Sequence, residues 1–431
     1  MNKRVKRIQL VLIILIAFLI GYFFGINKIA FDWKNYSPSV SVVSKEPPSN
    51  LSNVDFSQFW LTWQKLEATY YDKTKLDPQK MVNAAISGMV QSLGDPFTVY
   101  LPPVQNENFK QGMAGQFSGI GAELGMKDKD IIVIAPLDGS PAQKSGIKAG
   151  DKILKVDNKS IVGWTTSQAV EVIRGQKGTQ VVLNVIHKDE KETKDIKITR
   201  DIITVKSVYG WVKKIKDVDN IRIAKDSKSK GIAKTLSENN EIAYIRLSQF
   251  GDNTNKDWSA LVSDLSLKIS QANNFKGIVF DLRNNPGGYL TDAVFIASEF
   301  LGQGKTVVSE EGGTIEKKVM KVERRGLFLD KPVIVLINGG SASASEIVAG
   351  ALRDNNKVKL IGEKSYGKGT IQQAEDLGNG AGLHVTIAKW LTPNEVWVNG
   401  KGLEPDMKVE FDKNEPEIDT QLEKAIEELL K

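Results

Sequence analysis

The 431-residue sequence predicts a multidomain protein of the α/β (α+β) class with a single transmembrane helix, and three observations carry that prediction. From residue 242 onward, short aliphatic runs alternate with helical patterns, as in a buried sheet covered by helices. Before that, residues 115–202 hold several short runs of alternating apolar character separated by glycine-containing turns, the mark of a small β-rich unit. At the start, residues 8–27 carry no charge and are mostly Leu, Ile, Val and Phe. The chain divides accordingly into a basic tail (1–7), a transmembrane helix (8–27), a linker (28–53), an N-terminal helical region (54–103), a β-rich unit (104–202), an α/β core (203–412) and a C-terminal helix (413–431).

Composition narrows the function before any motif does. With no cysteine, disulfides, thiolate catalysis and Cys-ligated zinc are excluded, and two histidines, His187 and His384, are too few for a histidine metal cluster. No metal and no cofactor is expected. The formal charge of +6 is spread over mixed Lys/Glu/Asp segments, so nucleic acid is not an expected partner.

In chain order, Lys3, Arg4, Lys6 and Arg7 precede an apolar stretch long enough to span a bilayer, and the positive-inside rule then puts everything after Lys28 outside the cytoplasm. A cleaved signal peptide is the competing reading; the lack of a clear Ala-x-Ala site favours an uncleaved anchor. Residues 37–53, rich in proline and serine, read as a flexible tether. Phe59, Trp60, Trp63, Leu66 and Tyr70 mark one face of a helix, and a second begins near Asp77-Pro78 with Met81, Ala84, Ala85, Ile86 and Met89 inward. These aromatics read as packing or dimer contacts. Gly94-Asp95-Pro96 ends the helix before a short strand at 98–101.

In the β-rich unit, strands are expected at 120–124, 131–134, 152–156, 180–187 and 194–199, with a helix at 165–174. His187 falls on what reads as the exposed end of a strand. Residues 206–240 are polar and read as a hairpin with a lysine-rich loop at 225–230. The core then offers strands at 242–247, 277–282, 333–337, 358–361 and 383–390, helices at 258–272, 289–301 and 344–353, and a terminal helix at 420–430. His384 lies inside a strand pattern, where histidines usually serve packing.

Three strand ends carry the candidate chemistry. Ser341-Ala342-Ser343-Ala344-Ser345-Glu346 joins strand 333–337 to a helix, where free N–H groups favour developing negative charge. Ser343 with Glu346 also fits a capping box, so a structural role competes with catalysis. A serine nucleophile needs a base. A lysine made neutral by burial can serve, which directs attention to Gly367-Lys368-Gly369 after strand 358–361. Gly362 to Lys368 also satisfies G-x-x-x-x-G-K, but Gly369 replaces the required Ser or Thr, so phosphate binding is set aside. Gln372 could hold the lysine amine by a hydrogen bond, and Gln373 is its rival. Asn285-Pro286-Gly287-Gly288 at the end of strand 277–282 supplies exposed N–H groups suited to an oxyanion hole.

Together these elements resemble the carboxyl-terminal processing peptidases, or tail-specific proteases. The residues that carry the resemblance are 338–351, 362–373, Leu93-Gly94-Asp95-Pro96 and Gly402-Leu403-Glu404-Pro405-Asp406. Ser118-Gly119-Ile120-Gly121, Ser140-Pro141-Ala142 and 146–151 make the β-rich unit resemble a PDZ domain. The resemblance implies a crotonase-like αββ protease core with an inserted PDZ domain. It implies Ser343 as nucleophile, Lys368 as general base, Gln372 orienting that lysine, and an oxyanion hole from the Ala344 amide with one from Gly287 or Gly288. Ser118, Gly119, Ile120 and Gly121 would receive a peptide's terminal carboxylate while the peptide adds as a strand. The implied protein is a single-pass endopeptidase of a bacterial cell membrane, with its catalytic part extracytoplasmic. Its expected partners are protein substrates with accessible C-termini, the membrane, and a second copy in a homodimer. Two rivals stand beside it, a membrane-anchored PDZ scaffold with an inert core and an enzyme acting on acyl thioesters.

Overall fold

In the computed structural model the described residues are 9, 12–19, 22, 29–34, 37–42 and 54–431, apart from 128–129, 138, 189, 223–238, 314–315, 357, 413–414 and 416. Residues 9, 12–19 and 22 are helical, and the rest of the expected 8–27 span lies outside the described residues. Among the described residues no helix is long and apolar enough to cross a membrane. The expected tether begins as paired strand instead: β1 (Ile29–Lys34) forms an antiparallel hairpin with β2 (Ser37–Val42). β-Branched and aromatic residues, Ile29, Phe31, Trp33, Val40 and Val42, recur there at every second position, a strand period that the proline and serine content masks.

Helices α1 (Ser57–Thr69) and α2 (Pro78–Gln91) follow. Asp77 caps α2 through the N–H groups of Gln79 and Lys80, with Pro78 in the first turn. Strand β3 (Val99–Leu101) leads into α3 (Pro103–Met113). The polar sequence of α3 has no apolar period and gave no helical signal. It sits inside the span assigned to the β-rich unit, yet packs on the core as well as on that unit.

The β-rich unit is a five-strand path in the order β10 (Thr193–Thr199), β9 (Gln180–Ile186), β7 (Lys152–Val156), β6 (Asp130–Pro136), β5 (Ala122–Lys127). Its alternating inward residues, Ile131, Val133, Val181, Leu183 and Val185, make a core of their own with Ala142 of the short α4 (Pro141–Lys144), closed by α5 (Thr166–Ile173), and the two-residue β8 (Lys159–Ser160) pairs with β7. β5 stands at the sheet edge beside α5. A separate ribbon of β4 (Gln116–Gly119) with β11 (Asp201–Thr204) ties the unit's entry to its exit. His187 corrects its sequence assignment: it is 7% exposed and its Nδ1 lies 2.8 Å from the fully buried Asp151 carboxylate. The charged neighbours Lys188 and Glu190 hid that partner, 36 residues away in sequence.

The core's main sheet runs β12 (Val208–Lys214), β13 (Glu241–Leu247), β14 (Phe275–Asp281), β17 (Val333–Ile337), β18 (Lys359–Gly362), β21 (Met407–Lys408), parallel except for β12. The antiparallel β12–β13 pair accounts for part of the hairpin expected at 206–240; the lysine loop at 225–230 lies outside the described residues. Both faces are covered, which is why these strands read as unbroken apolar runs. Ala243, Ile245, Ile278, Phe280 and Val335 face α6 (Thr254–Gln271), α7 (Leu290–Ala297) and α8 (Ala344–Asn356). Their alternates Ile242, Tyr244, Val279, Ile334 and Leu336 face α9 (Thr420–Leu429). A second, antiparallel sheet runs β16 (Lys318–Lys321), β15 (Thr306–Glu311), β20 (Ala381–Leu391), β19 (Thr370–Gly378), with β3 also paired to β20.

Registers Asp281↔Leu336 and Ile337↔Gly362 align the carboxyl ends of β14, β17 and β18. Loops leaving those ends therefore meet at one edge, where open parallel sheets hold their sites.

Candidate active site

The three serines of the turn after β17 have different surroundings. Ser341 Oγ donates to Leu282 O at 2.8 Å and accepts from Asn338 N–H, and Ser345 Oγ donates to Asn285 O at 2.8 Å. Both hydroxyls are spent on joining this turn to the loop after β14. Ser343 Oγ has no hydrogen-bond partner among the described residues, and the side chain borders a cleft of about 750 Å³. Its φ of 54° is left-handed, which costs a non-glycine residue about 1 kcal/mol. That backbone presents the hydroxyl ahead of α8 instead of folding it back as a helix cap.

Only one half of the expected capping box forms, the half from Glu346. Its Oε2 accepts from Ser343 N–H at 2.8 Å and from Lys368 N–H at 2.9 Å, while Oε1 accepts from Gly367 N–H at 2.7 Å and Ser365 Oγ at 2.5 Å. One fully buried carboxylate thus holds the Ser343 turn and the lysine loop together. The sequence showed Glu346 closing a helical turn; the reach to Lys368 depends on β17–β18 pairing and has no local signal.

Lys368 lies on a loop fixed from behind, since Trp390 Nε1 donates to Lys368 O and Trp397 Nε1 to Gly369 O, both at 2.9 Å. Gly367 needs its φ of 91°, and a Cβ there would meet Gly402 N at 2.7 Å. The Lys368 side chain enters the same cleft, with Nζ 5.1 Å from the Phe97 ring centroid. Burial lowers its proton affinity, and the charge of Asp95 partly opposes this. Lys368 Nζ has no hydrogen bond to Ser343 in this arrangement.

Gln372 also lines the cleft, but its Nε2 donates to Thr370 Oγ1 at 2.9 Å and Thr386 Oγ1 at 3.1 Å. The orienting bond to Lys368 expected from the resemblance is absent here, because those two hydroxyls engage the amide. Gln373 is exposed and bonds Glu375, which removes it as rival. His384 lines the cleft edge-on to Phe109, its proton affinity lowered by burial and by Lys368.

The two glycines differ in their hydrogen-bond partners. Gly287 N–H donates to Asn285 Oδ1 at 2.9 Å, whereas the N–H groups of Gly288 and Ala344 find no acceptor among the described residues. A Cβ on Gly287 would lie 2.8 Å from Ser343 Cβ and 2.9 Å from Ala344 N. Behind this loop, Arg283 donates to both Asp281 and Asp419, with bonds of 2.6 to 3.1 Å, and Tyr244 Oη donates to Asp281 at 2.7 Å. The ion cluster couples α9 to the loop and was missed because Arg283 and Asp419 are 136 residues apart.

In the β-rich unit the four residues expected to receive a carboxylate are not equivalent. Ser118 and Gly119 lie in β4, paired with Ile202 and Asp201, and Ser118 Oγ is buried without a partner. Ile120 and Gly121 sit in the loop just before edge strand β5, with N–H groups that have no acceptor among the described residues.

A free hydroxyl, a half-buried amine and unengaged N–H groups at the carboxyl edge of a sheet define a hydrolase of the serine-peptidase class. The comparisons with known proteins agree. Residues 241–409 match peptidase family S41, 110–186 match the PDZ domain, and 18–103 match the N-terminal domain of the activating protease CtpB. The carboxy-terminal processing protease CtpA of Bacillus subtilis is 36% identical over 83% of this chain and 69% of its own. A probable CtpA-like serine protease of Staphylococcus aureus is 36% identical over 96% of this chain and 75% of its own. A putative S41 protease from Bacteroides fragilis shares the fold, with a TM-score of 0.55 at 14% identity over 90% of this chain and 97% of that one. The chain belongs to the carboxy-terminal processing proteases of peptidase family S41, and it is a serine-type endopeptidase with a PDZ domain.

Proposed function

We infer that the protein is a membrane-anchored, extracytoplasmic endopeptidase that cleaves proteins through a Ser343–Lys368 dyad after its PDZ domain has engaged their C-termini. The observation that carries the reading is the free Ser343 hydroxyl on a left-handed turn, facing the cleft that holds the half-buried Lys368. Neutral Lys368, rotated from Phe97 towards the serine, takes the Oγ proton as Oγ attacks the scissile carbonyl carbon. The resulting oxyanion lies on the Ala344 and Gly288 N–H groups. Lys368 passes the proton to the leaving amine, and water, deprotonated in the same way, releases the acyl group from Ser343. Gln372 acts on the lysine only after exchanging its threonine partners. The PDZ contribution rests on edge strand β5 and the N–H groups of Ile120 and Gly121.

The two-sheet core, with three helices on one face of its main sheet and α9 on the other, supports a crotonase-like reading. For the anchor, the exposed apolar side chains of Leu12, Ile13, Ile14 and Phe18 support a bilayer surrounding. For a homodimer, α1 has no buried residue and Trp60 is 57% exposed. The central test incubates the protein with an unfolded substrate ending in apolar residues. Wild type is expected to cleave it while Ser343→Ala and Lys368→Ala do not; equal cleavage by either variant overturns the dyad. Membrane fractionation of the full chain against one lacking residues 1–28 tests the anchor, and recovery of the full chain in the soluble fraction rejects it.

A further inference from the structure

Lys368 has company that the dyad does not use. Its ammonium sits over Phe97, on the turn at residues 94–98 between α2 and β3, which belongs to the N-terminal region. The turn is itself well anchored. Asp95 accepts from Phe97 N–H at 3.0 Å and from Thr98 Oγ1 at 2.6 Å. Thr98 is buried, and its Oγ1 accepts from Thr386 N–H at 3.0 Å. Thr386 Oγ1 in turn receives Gln372 Nε2. A chain of bonds therefore runs from Asp95 through β20 to the glutamine on β19, passing beside the lysine.

Charged and titratable groups surround this lysine on several elements. Asp95 faces it from the turn, His384 from β20, and Glu346 from α8, where the carboxylate is occupied by four donors. Asp252 and Tyr289, bonded to each other at 2.9 Å, stand on another wall of the cleft. Among the described residues no carboxylate reaches ion-pair distance of Nζ. What the ammonium does have is a ring face and the nearby charge of Asp95, both of which attract a cation and neither of which attracts a neutral amine.

We propose that the Asp95–Phe97 turn is a holding site for the protonated Lys368, so that Asp95 and Phe97 are positioning residues of the peptidase supplied from outside the peptidase domain. The proposal rests on the dyad reading above. On losing its proton the amine loses its attraction to the turn and is free to rotate to Ser343. The turn thus links the position of the base to its charge.

The experiment is the pH dependence of kcat/KM for wild type, Asp95→Asn, Phe97→Leu, Phe97→Tyr and Lys368→Ala, with thermal melting run in parallel. The acid limb is expected to move to lower pH in Asp95→Asn by roughly half a pH unit, less than for a directly paired charge. That shift raises activity on the limb about threefold at fixed pH. Phe97→Leu moves the limb the same way, and Phe97→Tyr, which keeps the ring, restores it. Acid limbs that coincide with wild type in both Asp95→Asn and Phe97→Leu overturn the proposal. So does a uniform loss of activity at every pH, since that is the signature of a merely structural turn. Lys368→Ala keeps the two readings apart: cleavage at the wild-type rate refutes the dyad, whereas an inactive Lys368→Ala beside unshifted limbs refutes only the holding site.

Discussion

Replacing Glu346 by glutamine keeps the shape and removes half of the acceptors. The carboxylate takes two donors on each oxygen, Ser343 and Lys368 N–H on one, Gly367 N–H and Ser365 Oγ on the other. An amide has one acceptor oxygen, and whichever way it turns its NH₂ faces buried N–H groups. If it faces Gly367, one main-chain donor is orphaned, because Ser365 Oγ can turn to accept. If it faces Ser343 and Lys368, both catalytic elements are pushed apart. Each hydrogen bond to a charged acceptor is worth about 1.5–3 kcal/mol, and loss of the desolvated charge offsets part of the deficit. The expected destabilisation of Glu346→Gln is about 2–4 kcal/mol. Its expected loss in kcat/KM is about 100-fold, equivalent to about 3 kcal/mol of transition-state stabilisation. Ser365→Ala removes one donor to the carboxylate and also the acceptor of Leu403 N–H, and should cost about 2–4 kcal/mol while leaving the grip on Ser343 and Lys368 in place. Chemical denaturation and cleavage kinetics of the two variants measure both quantities. A Glu346→Gln protein within 0.5 kcal/mol of wild type and with unchanged kcat/KM would refute the argument that this carboxylate sets the geometry of the site.

Other expectations follow from neighbouring residues. Ser343→Gly relieves the left-handed strain at φ 54° and should raise stability by about 1 kcal/mol in denaturation while abolishing cleavage. Arg283→Met leaves Asp281 and Asp419 without their shared partner and should cost about 3–5 kcal/mol, with kcat falling as the oxyanion loop loosens. Asp292, held at about 6 by burial with a contribution from Asp252, binds its proton more tightly folded than unfolded. Its stabilising effect is present below about pH 4 and lost as pH rises towards 6. The melting temperature of wild type relative to Asp292→Asn should therefore fall across that window, and a constant difference would reject the assignment.

How much of this was legible in the sequence follows the range of the interaction. The parallel strands declared themselves because both faces are buried, and the serine and lysine loops that border the cleft could be located because the strands that carry them end in recognisable turns. Peptidase membership and the PDZ unit also followed from motifs. Helix α3 was missed because nothing in Pro103–Met113 repeats with a helical period. The difference between the Gly287 and Gly288 N–H groups needed the Asn285 side chain, and the buried state of His187 needed Asp151 across the unit. Gln372 was given a lysine partner and has two threonines, one of them on β20, a strand-pairing effect that no spacing reveals.

The double grip of Glu346 also bears on time. With the main chains of Ser343 and Lys368 fastened to one buried carboxylate, and the lysine loop fastened again by two indoles, neither backbone has to travel for the amine to meet the hydroxyl as the proposed dyad requires. What remains mobile between the resting and reacting arrangements is the lysine's own chain of methylenes. Turning such a side chain takes picoseconds to nanoseconds, while refolding a loop takes far longer. On the proposed dyad, the chemistry of this site is therefore clocked by proton loss and substrate arrival, with little delay from assembling the machinery itself.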